Sequence, residues 1–272
     1  MELIAPLVAG DAAASIVAFH VERTPRRWFR GGRARTPLVR HLDELDRLAR
    51  EAGAPALTRK TDSGDPAADV ILREAGRAYD LLVLGASEAT RRHPLGGEYV
   101  RAIAAATPCP LLVVRNGPTE RHLPGRPGAS AIAPRILLPV RDSACGRAAV
   151  EFAVLYAARV GGAITALHVI ESSFAIFGRT RAAEADAETV AAIEAMLASV
   201  HQRATSAGVT IRTEMLEAAN VERALLRAAA AADLMVLGAT TRPHARRAFF
   251  GTHVEAVLAE APCPVAVLLL PA

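Results

Sequence analysis

Short apolar runs alternate along the chain with longer stretches whose apolar residues recur at helical spacing. The second half shows this most clearly. Ile136 to Val140 predicts a strand, and residues 144 to 160 place Ala148, Phe152, Leu155 and Tyr156 on one helical face. Ile164 to Ile170 predicts a second strand. Residues 182 to 206 set Val190, Ile193, Leu197, Val200 and Ala204 on a helix. Val209 to Leu216 predicts a third strand and 221 to 231 a third helix. Leu234 to Leu237 is a buried strand running into Gly238. A helix opens at Gly251-Thr252 with Val254, Val257, Leu258 and Ala261, and Pro262-Cys263-Pro264 ends it before the strand Val265 to Leu270. Strands alternating with helices predict an α/β class with parallel strands, right-handed crossovers and helices on both faces.

The first half carries the same text. Ile16-Val17-Ala18-Phe19-His20-Val21 echoes Ile164-Thr165-Ala166-Leu167-His168-Val169. Asp80-Leu81-Leu82-Val83-Leu84-Gly85 echoes Asp233-Leu234-Met235-Val236-Leu237-Gly238, and Pro108-Cys109-Pro110 with Leu111 to Val114 echoes Pro262-Cys263-Pro264 with Val265 to Leu268. Leu38, Leu42, Leu45, Ala49 and Ala52 predict a helix, and Asp65-Pro66 predicts the N-cap and first residue of the next one. The expected organisation is two doubly wound parallel-sheet domains, 1–115 and 135–272. Residues 116–134, rich in Pro and Gly, form the linker.

The first copy is short at its start. Too few residues separate Val8 from Ile16 for the crossover that two parallel strands need. Residues 2 to 10 are therefore expected to be the end of a first helix, and the first strand is expected to be missing. Such a start suits a fragment or a severed tail.

Composition narrows the class without naming a ligand. The chain has 272 residues, is 51% hydrophobic and 22% charged, and carries a net charge of +4, which is globular and mildly basic. Lys60 is the only lysine. No nucleic-acid motif accompanies the arginines. Cys109, Cys145 and Cys263 have neither metal nor disulfide-framework spacing, and no signal peptide or membrane span is visible, so a cytoplasmic location is expected.

Chemistry concentrates after Gly238. The stretch combines a strand, a glycine turn, a basic loop with Arg242, Arg246 and Arg247, and a helix opening with Gly251 and Thr252. Glycines let backbone N–H groups approach a phosphate, Thr adds a hydroxyl, a helix N-terminus adds unpaired donors, and Arg adds charge. This stretch resembles the nucleotide signature of the universal stress protein family: Gly, two residues, Gly, nine residues, Gly, then Ser or Thr. Here Thr241 stands for the second Gly, and Thr tolerates positive φ poorly.

The resemblance implies an adenine-nucleotide α-hydrolase-like fold and places the phosphates of ATP or AMP at Gly238, Thr241, Arg247, Gly251 and Thr252. It places the adenosine side at Arg141, Asp142 and Val169. Arg141 stands where the family has an acidic residue, and Asp142 is the nearest carboxylate. Mg²⁺ is implied only with ATP. In the first copy, Glu88 and Glu98 stand at the phosphate positions, where like charge opposes binding. The family also implies pairing of the last strands, Leu111 to Val114 with Val265 to Leu268, in an intramolecular pseudo-dimer; a homodimer can build on that.

The remaining candidates are weaker. His20 and His168 occupy matching strand positions and read as structural, while His244 and His253 flank the phosphate loop. Ser87 and Ser143 lack a base and acid at useful spacing, so no catalytic group is assigned and no metabolic catalysis is expected. Arg23 to Arg35, with Trp28 and Phe29, and the matching Phe174, Phe177, Arg179 and Arg181 are a candidate docking surface for a protein partner or an anionic membrane face. The reading is a regulatory nucleotide-binding module. The alternative is a scaffold without nucleotide, resembling the cytoplasmic tails of cation/proton antiporters and partnering a transporter's membrane domain.

Overall fold

The computed structural model describes residues 3–22, 35–64, 66–86, 97–117, 133–172, 187–241 and 249–271, with backbone only at 35–39. Its elements are α1 (Ala5–Val8), β1 (Ile16–Glu22), α2 (Arg35–Glu51), β2 (Leu57–Ser63), α3 (Ala67–Ala75), β3 (Leu82–Ala86), α4 (Glu98–Ala106) and β4 (Leu111–Arg115). The second half follows with β5 (Arg135–Pro139), α5 (Ala144–Val160), β6 (Ala163–Glu171), α6 (Ala187–Ser206), β7 (Thr210–Ala218), α7 (Val221–Ala229), β8 (Leu234–Gly238), α8 (Thr252–Glu260) and β9 (Val265–Leu269). Among the described residues, no helix is long and apolar enough to cross a membrane.

A 7-stranded sheet runs β3-β4-β9-β8-β5-β6-β7. It is parallel except between its second and third strands, where β4 and β9 pair antiparallel with Leu111 opposite Leu269 and Arg115 opposite Val265. That junction joins the halves of the chain and leaves neither apolar strand as an open edge. The two faces follow the period of a strand. Along β8, Leu234 and Val236 enter the core under α5 and α6, while Met235 and Leu237 enter the core under α7, α8, α3 and α4.

The first half is not one sheet. β1 and β2 form a separate two-stranded parallel sheet, with Ile16 opposite Leu57. In the second half β5 bridges β6 and β8; among the described residues no strand lies between their counterparts β1 and β3. The residues before β1 form helix α1 instead. Leu3, 1% exposed, enters the core beside Leu112, Ile136 and Phe152, so α1 packs on α5 of the second half.

Several details depart from the sequence expectations. Leu155 is 48% exposed; the buried stripe of α5 runs through Ala149, Phe152, Ala153 and Tyr156. The N-cap of α3 is Pro66, which makes no side-chain cap, and Asp65 lies outside the described residues. The aromatic and arginine loops at 23–34 and 173–186, and the linker residues 118–132, also lie outside them.

Candidate functional site

The order β9-β8-β5-β6-β7 reverses direction between β8 and β5. A crevice opens beyond the carboxyl ends of strands at such a reversal. One wall is the turn after β5, residues 140–143. The other is the turn after β8, residues 239–241, followed by the start of α8.

The two walls meet through backbone. A Cβ on Gly238 would lie 2.1 Å from the carbonyl oxygen of Cys145, in the first turn of α5, and 2.7 Å from the amide nitrogen of Gly146. Gly146 is constrained likewise, since its Cβ would lie 2.2 Å from the Arg141 oxygen. Gly238 therefore holds β8 against α5 before any ligand is considered, and Gly146 is a partner that sequence spacing did not identify. Ser143 caps α5, accepting from the Gly146 N–H at 3.0 Å, which is a structural role for that hydroxyl.

On the β5 side, Arg141 and Asp142 are exposed, and Asp142 accepts from Arg147 at 2.7 Å. Asp142 thus forms a solvent-exposed pair with the first turn of its own helix. Val169 is half-buried on β6, one residue beyond His168. His168 Nδ1 lies 2.8 Å from the Val140 carbonyl, so it donates there, and the histidine is structural as expected.

On the β8 side, Thr241 is half-buried and Thr240 exposed. The expected strain at Thr241 is absent: among the described residues the only non-glycine with positive φ is Ala78. Gly251 is the N-cap of α8 at φ 88 and ψ 148, a conformation open in practice only to glycine. Gly97 enters α4 in the same way, at φ 84. Glycine at this position therefore serves the helix entry in both halves.

The N-terminus of α8 has no side-chain cap, so the first N–H groups of the helix, beginning with exposed Thr252, lack an intrahelical partner. Glu255 sends its carboxylate back to the Phe250 N–H at 3.3 Å. A negative charge thus stands in the first turn, where an anion would otherwise have the donors to itself. Phe249 and Phe250, 3% and 4% exposed, pack edge to face and fix the turn, and the Arg101 guanidinium of α4 lies 5.0 Å from the Phe249 ring centre.

His253 is not a free loop residue. Its Nδ1 lies 2.8 Å from Glu222 Oε1 on α7. Burial pushes the Glu222 carboxyl up, but its own N–H and the bond and charge from His253 outweigh this and hold it below the usual range. Sequence spacing missed the pair because it depends on α7 and α8 packing side by side. Arg242, His244, Arg246 and Arg247 lie outside the described residues, as do Ser87 and Glu88. Among the described residues no three His, Cys, Asp or Glu side chains gather as metal ligands, and all cysteines are free and buried.

Comparison with known proteins matches the model of the universal stress protein family to residues 8–115 and 133–268. Among solved structures, a universal stress protein from Archaeoglobus fulgidus has TM-score 0.58 at 16% identity, covering 94% of this chain and 86% of that one. A functionally unknown protein from Pseudomonas aeruginosa has TM-score 0.57 at 15% identity, covering 98% of this chain and 86% of that one. At these identities the likeness shows the fold. A second Archaeoglobus fulgidus universal stress protein, solved in complex with dAMP, covers 51% of this chain and 99% of that one at 17% identity and TM-score 0.39. No curated protein matches the chain.

Proposed function

Because the chain belongs to the universal stress protein family, we propose that its second half binds an adenine nucleotide, ATP or AMP, and acts as a regulatory module without metabolic catalysis. The observation that carries this reading is the uncapped N-terminus of α8 at the sheet's reversal point, entered through Gly251 at φ 88. Its unpaired N–H groups and the positive end of the helix dipole favour a phosphate, and Thr252 adds a hydroxyl. In this reading Gly238, Thr241, Gly251 and Thr252 border the phosphates, with Arg247 contributing charge. Arg141, Asp142 and Val169 border the adenosine, and Mg²⁺ accompanies ATP only.

The second reading, a scaffold that binds no nucleotide, rests on Asp142 being held by Arg147 and on Glu255 occupying the first turn of α8. Titration calorimetry with ATP, AMP and cyclic AMP separates the two. The nucleotide reading expects micromolar binding by the intact chain, lost in Thr252→Glu, an exposed position where a carboxylate repels phosphate without disturbing the core. No heat at millimolar ATP from folded protein selects the scaffold, including the form that partners a transporter's membrane domain.

A further inference from the structure

β7 closes one end of the 7-stranded sheet, and among the described residues only β6 pairs with it. It is a long edge, from Thr210 to Ala218, with no proline or lysine. Natural edge strands are usually blunted, because their free N–H and C=O groups recruit another strand. β2, in the smaller sheet, is blunted by charge. Its Arg59 pairs with Asp43 and Asp46, Lys60 with Glu74 and Asp62 with Arg73, which ties its charges to α2 and α3. In β7 the ion pair lies within the strand, Arg212 to Glu214 at 2.7 Å, and Met215 and Leu216 are 40% and 43% exposed.

The pairing with β6 fixes which main-chain groups face outward. Ala218 lies opposite Glu171, and its carbonyl accepts from the Ser172 N–H. In a parallel ladder such a residue turns both N–H and C=O to its neighbour, and the direction alternates along the strand. The register is unbroken from Ala163 opposite Thr210 to Glu171 opposite Ala218. The even-numbered residues of β7 therefore bond to β6, and Ile211, Thr213 and Met215 turn their main-chain groups to the open edge. Their side chains lie on the face of α6, where Ile211 packs on the core. Arg212, Glu214 and Leu216 lie on the opposite face.

This edge is complementary to itself. Two copies running antiparallel about a two-fold axis through Thr213 set Ile211 against the partner's Met215 on one face. On the other face Arg212 meets the partner's Glu214, and Thr210 meets the partner's Leu216. With the pair inside each strand, the charges then alternate in sign across the seam. Neighbouring registers lose this match. An axis through Arg212 or Glu214 opposes like charges; one through Ile211 sets Arg212 against Thr210, and one through Met215 sets Glu214 against Leu216. α6 contacts β7, so the two copies of α6 come side by side. Its exposed residues include Ala191, Ala195 and Ala198, which permit the spacing of about 8–10 Å found between packed helices.

We propose that β7 is a self-association surface: two copies of this chain pair through it, antiparallel, with Thr213 on the two-fold axis, and their 7-stranded sheets become one. Main-chain hydrogen bonds of Ile211, Thr213 and Met215 supply the contact, and Arg212 with Glu214 sets the register. The β4–β9 junction stays within each chain, and the association needs no nucleotide.

Sedimentation velocity of the full chain over a range of concentrations should show a reversible dimer at micromolar protein. Amide hydrogen exchange should find Ile211, Thr213 and Met215 slowed about tenfold or more in the dimer, with Leu57 to Ser63 unchanged. Arg212→Glu and, separately, Glu214→Arg oppose like charges and should each weaken the dimer about tenfold. Mixing the two variants restores opposite signs across the seam, so a mixed dimer should form about tenfold more tightly than either variant's own. Thr213→Pro removes an outward N–H, leaves the β6 ladder intact and should give a folded monomer. A chain that stays monomeric at millimolar concentration would overturn the proposal. So would a dimer that keeps its affinity in both charge variants, or variants that dissociate singly yet form no mixed dimer.

Discussion

His168 and Val140 tie the end of β6 to the end of β5 through one hydrogen bond of 2.8 Å, and the matching histidine in the first half, His20, has no such carbonyl among the described residues. The pair is a built-in control. His168→Leu removes the donor to a carbonyl at a half-buried site, which costs about 1–2 kcal/mol. His20→Leu removes no hydrogen bond to a described residue, so its effect should lie within about 0.5 kcal/mol of zero. Urea unfolding of the two variants checks this, and equal losses would contradict the asymmetry.

Ala78 stands at φ 60, a left-handed conformation that places Tyr79 so that its hydroxyl donates to Glu74 at 2.6 Å. An L-residue there carries about 1–2 kcal/mol of strain. Glycine relieves the strain but adds about 0.4–1 kcal/mol of unfolded-state entropy. Relief wins, so Ala78→Gly should raise stability by about 0.5–1 kcal/mol, read as a higher melting temperature. A drop would mean that the turn is held by something other than its dihedral.

Glu74 predicts an acid limb. Hydrogen bonds from Lys60 at 2.8 Å and from Tyr79 hold its carboxyl below the usual value of 4.5, against a smaller opposing effect of burial. A carboxyl lowered in the folded state binds fewer protons than in the unfolded chain. Its contribution is therefore fully present above about pH 4.5 and fades as pH falls through the folded value. The stability gap between the original chain and Glu74→Gln should be largest near neutral pH and close below that window. A gap that stays constant into acid would assign the loss to packing instead.

Glu255 sets the electrostatics of α8. Its carboxylate, close to the Phe250 N–H, repels a phosphate at the same helix end. Glu255→Gln keeps an acceptor for that N–H and removes the charge. If ATP binds there, its affinity should rise about three- to tenfold at low salt, with the gain shrinking as salt rises. Calorimetry at two ionic strengths checks it, and unchanged affinity would place the phosphates elsewhere.

The strands and most helices were legible because periods of about two and 3.6 residues survive in a single sequence. Gly238, Gly251 and Thr252 were legible as positions, but not their causes. Gly238 is dictated by Cys145 and Gly146, which meet it only after β8 and α5 pack. Leu155 matched the apolar spacing of α5 yet faces outward, because Ala149, Ala153 and Tyr156 point to the sheet. The His253–Glu222 contact and the buried Phe249–Phe250 turn also arise from tertiary neighbours. That the residues before β1 form a helix rather than a strand could be argued from their number, but the parting of the sheet between β1 and β3 could not.

Arg115 gives the last prediction. It is 7% exposed at the end of β4, where Nη2 donates to the Ala261 carbonyl at 2.7 Å and to Cys263 at 3.4 Å, while its buried Nε has no partner. Burial pushes the guanidinium's pKa down, opposed by Cys263. Against that stands its position at the C-terminal end of α8, where a cation is favoured by about 0.3–1 kcal/mol. The burial cost is the larger effect, because arginine keeps its charge and no carboxylate among the described residues pairs with it. The matching position in the second half is Leu269, 1% exposed, which shows that an apolar side chain fits the antiparallel junction. Arg115→Met should therefore be neutral or stabilising by about 1 kcal/mol, whereas Arg115→Glu, a buried anion facing carbonyls, should cost about 3–5 kcal/mol. Thermal unfolding of both variants decides it: a strong loss in the methionine variant would make the guanidinium, rather than the apolar β4–β9 ladder, the main tie between the two halves.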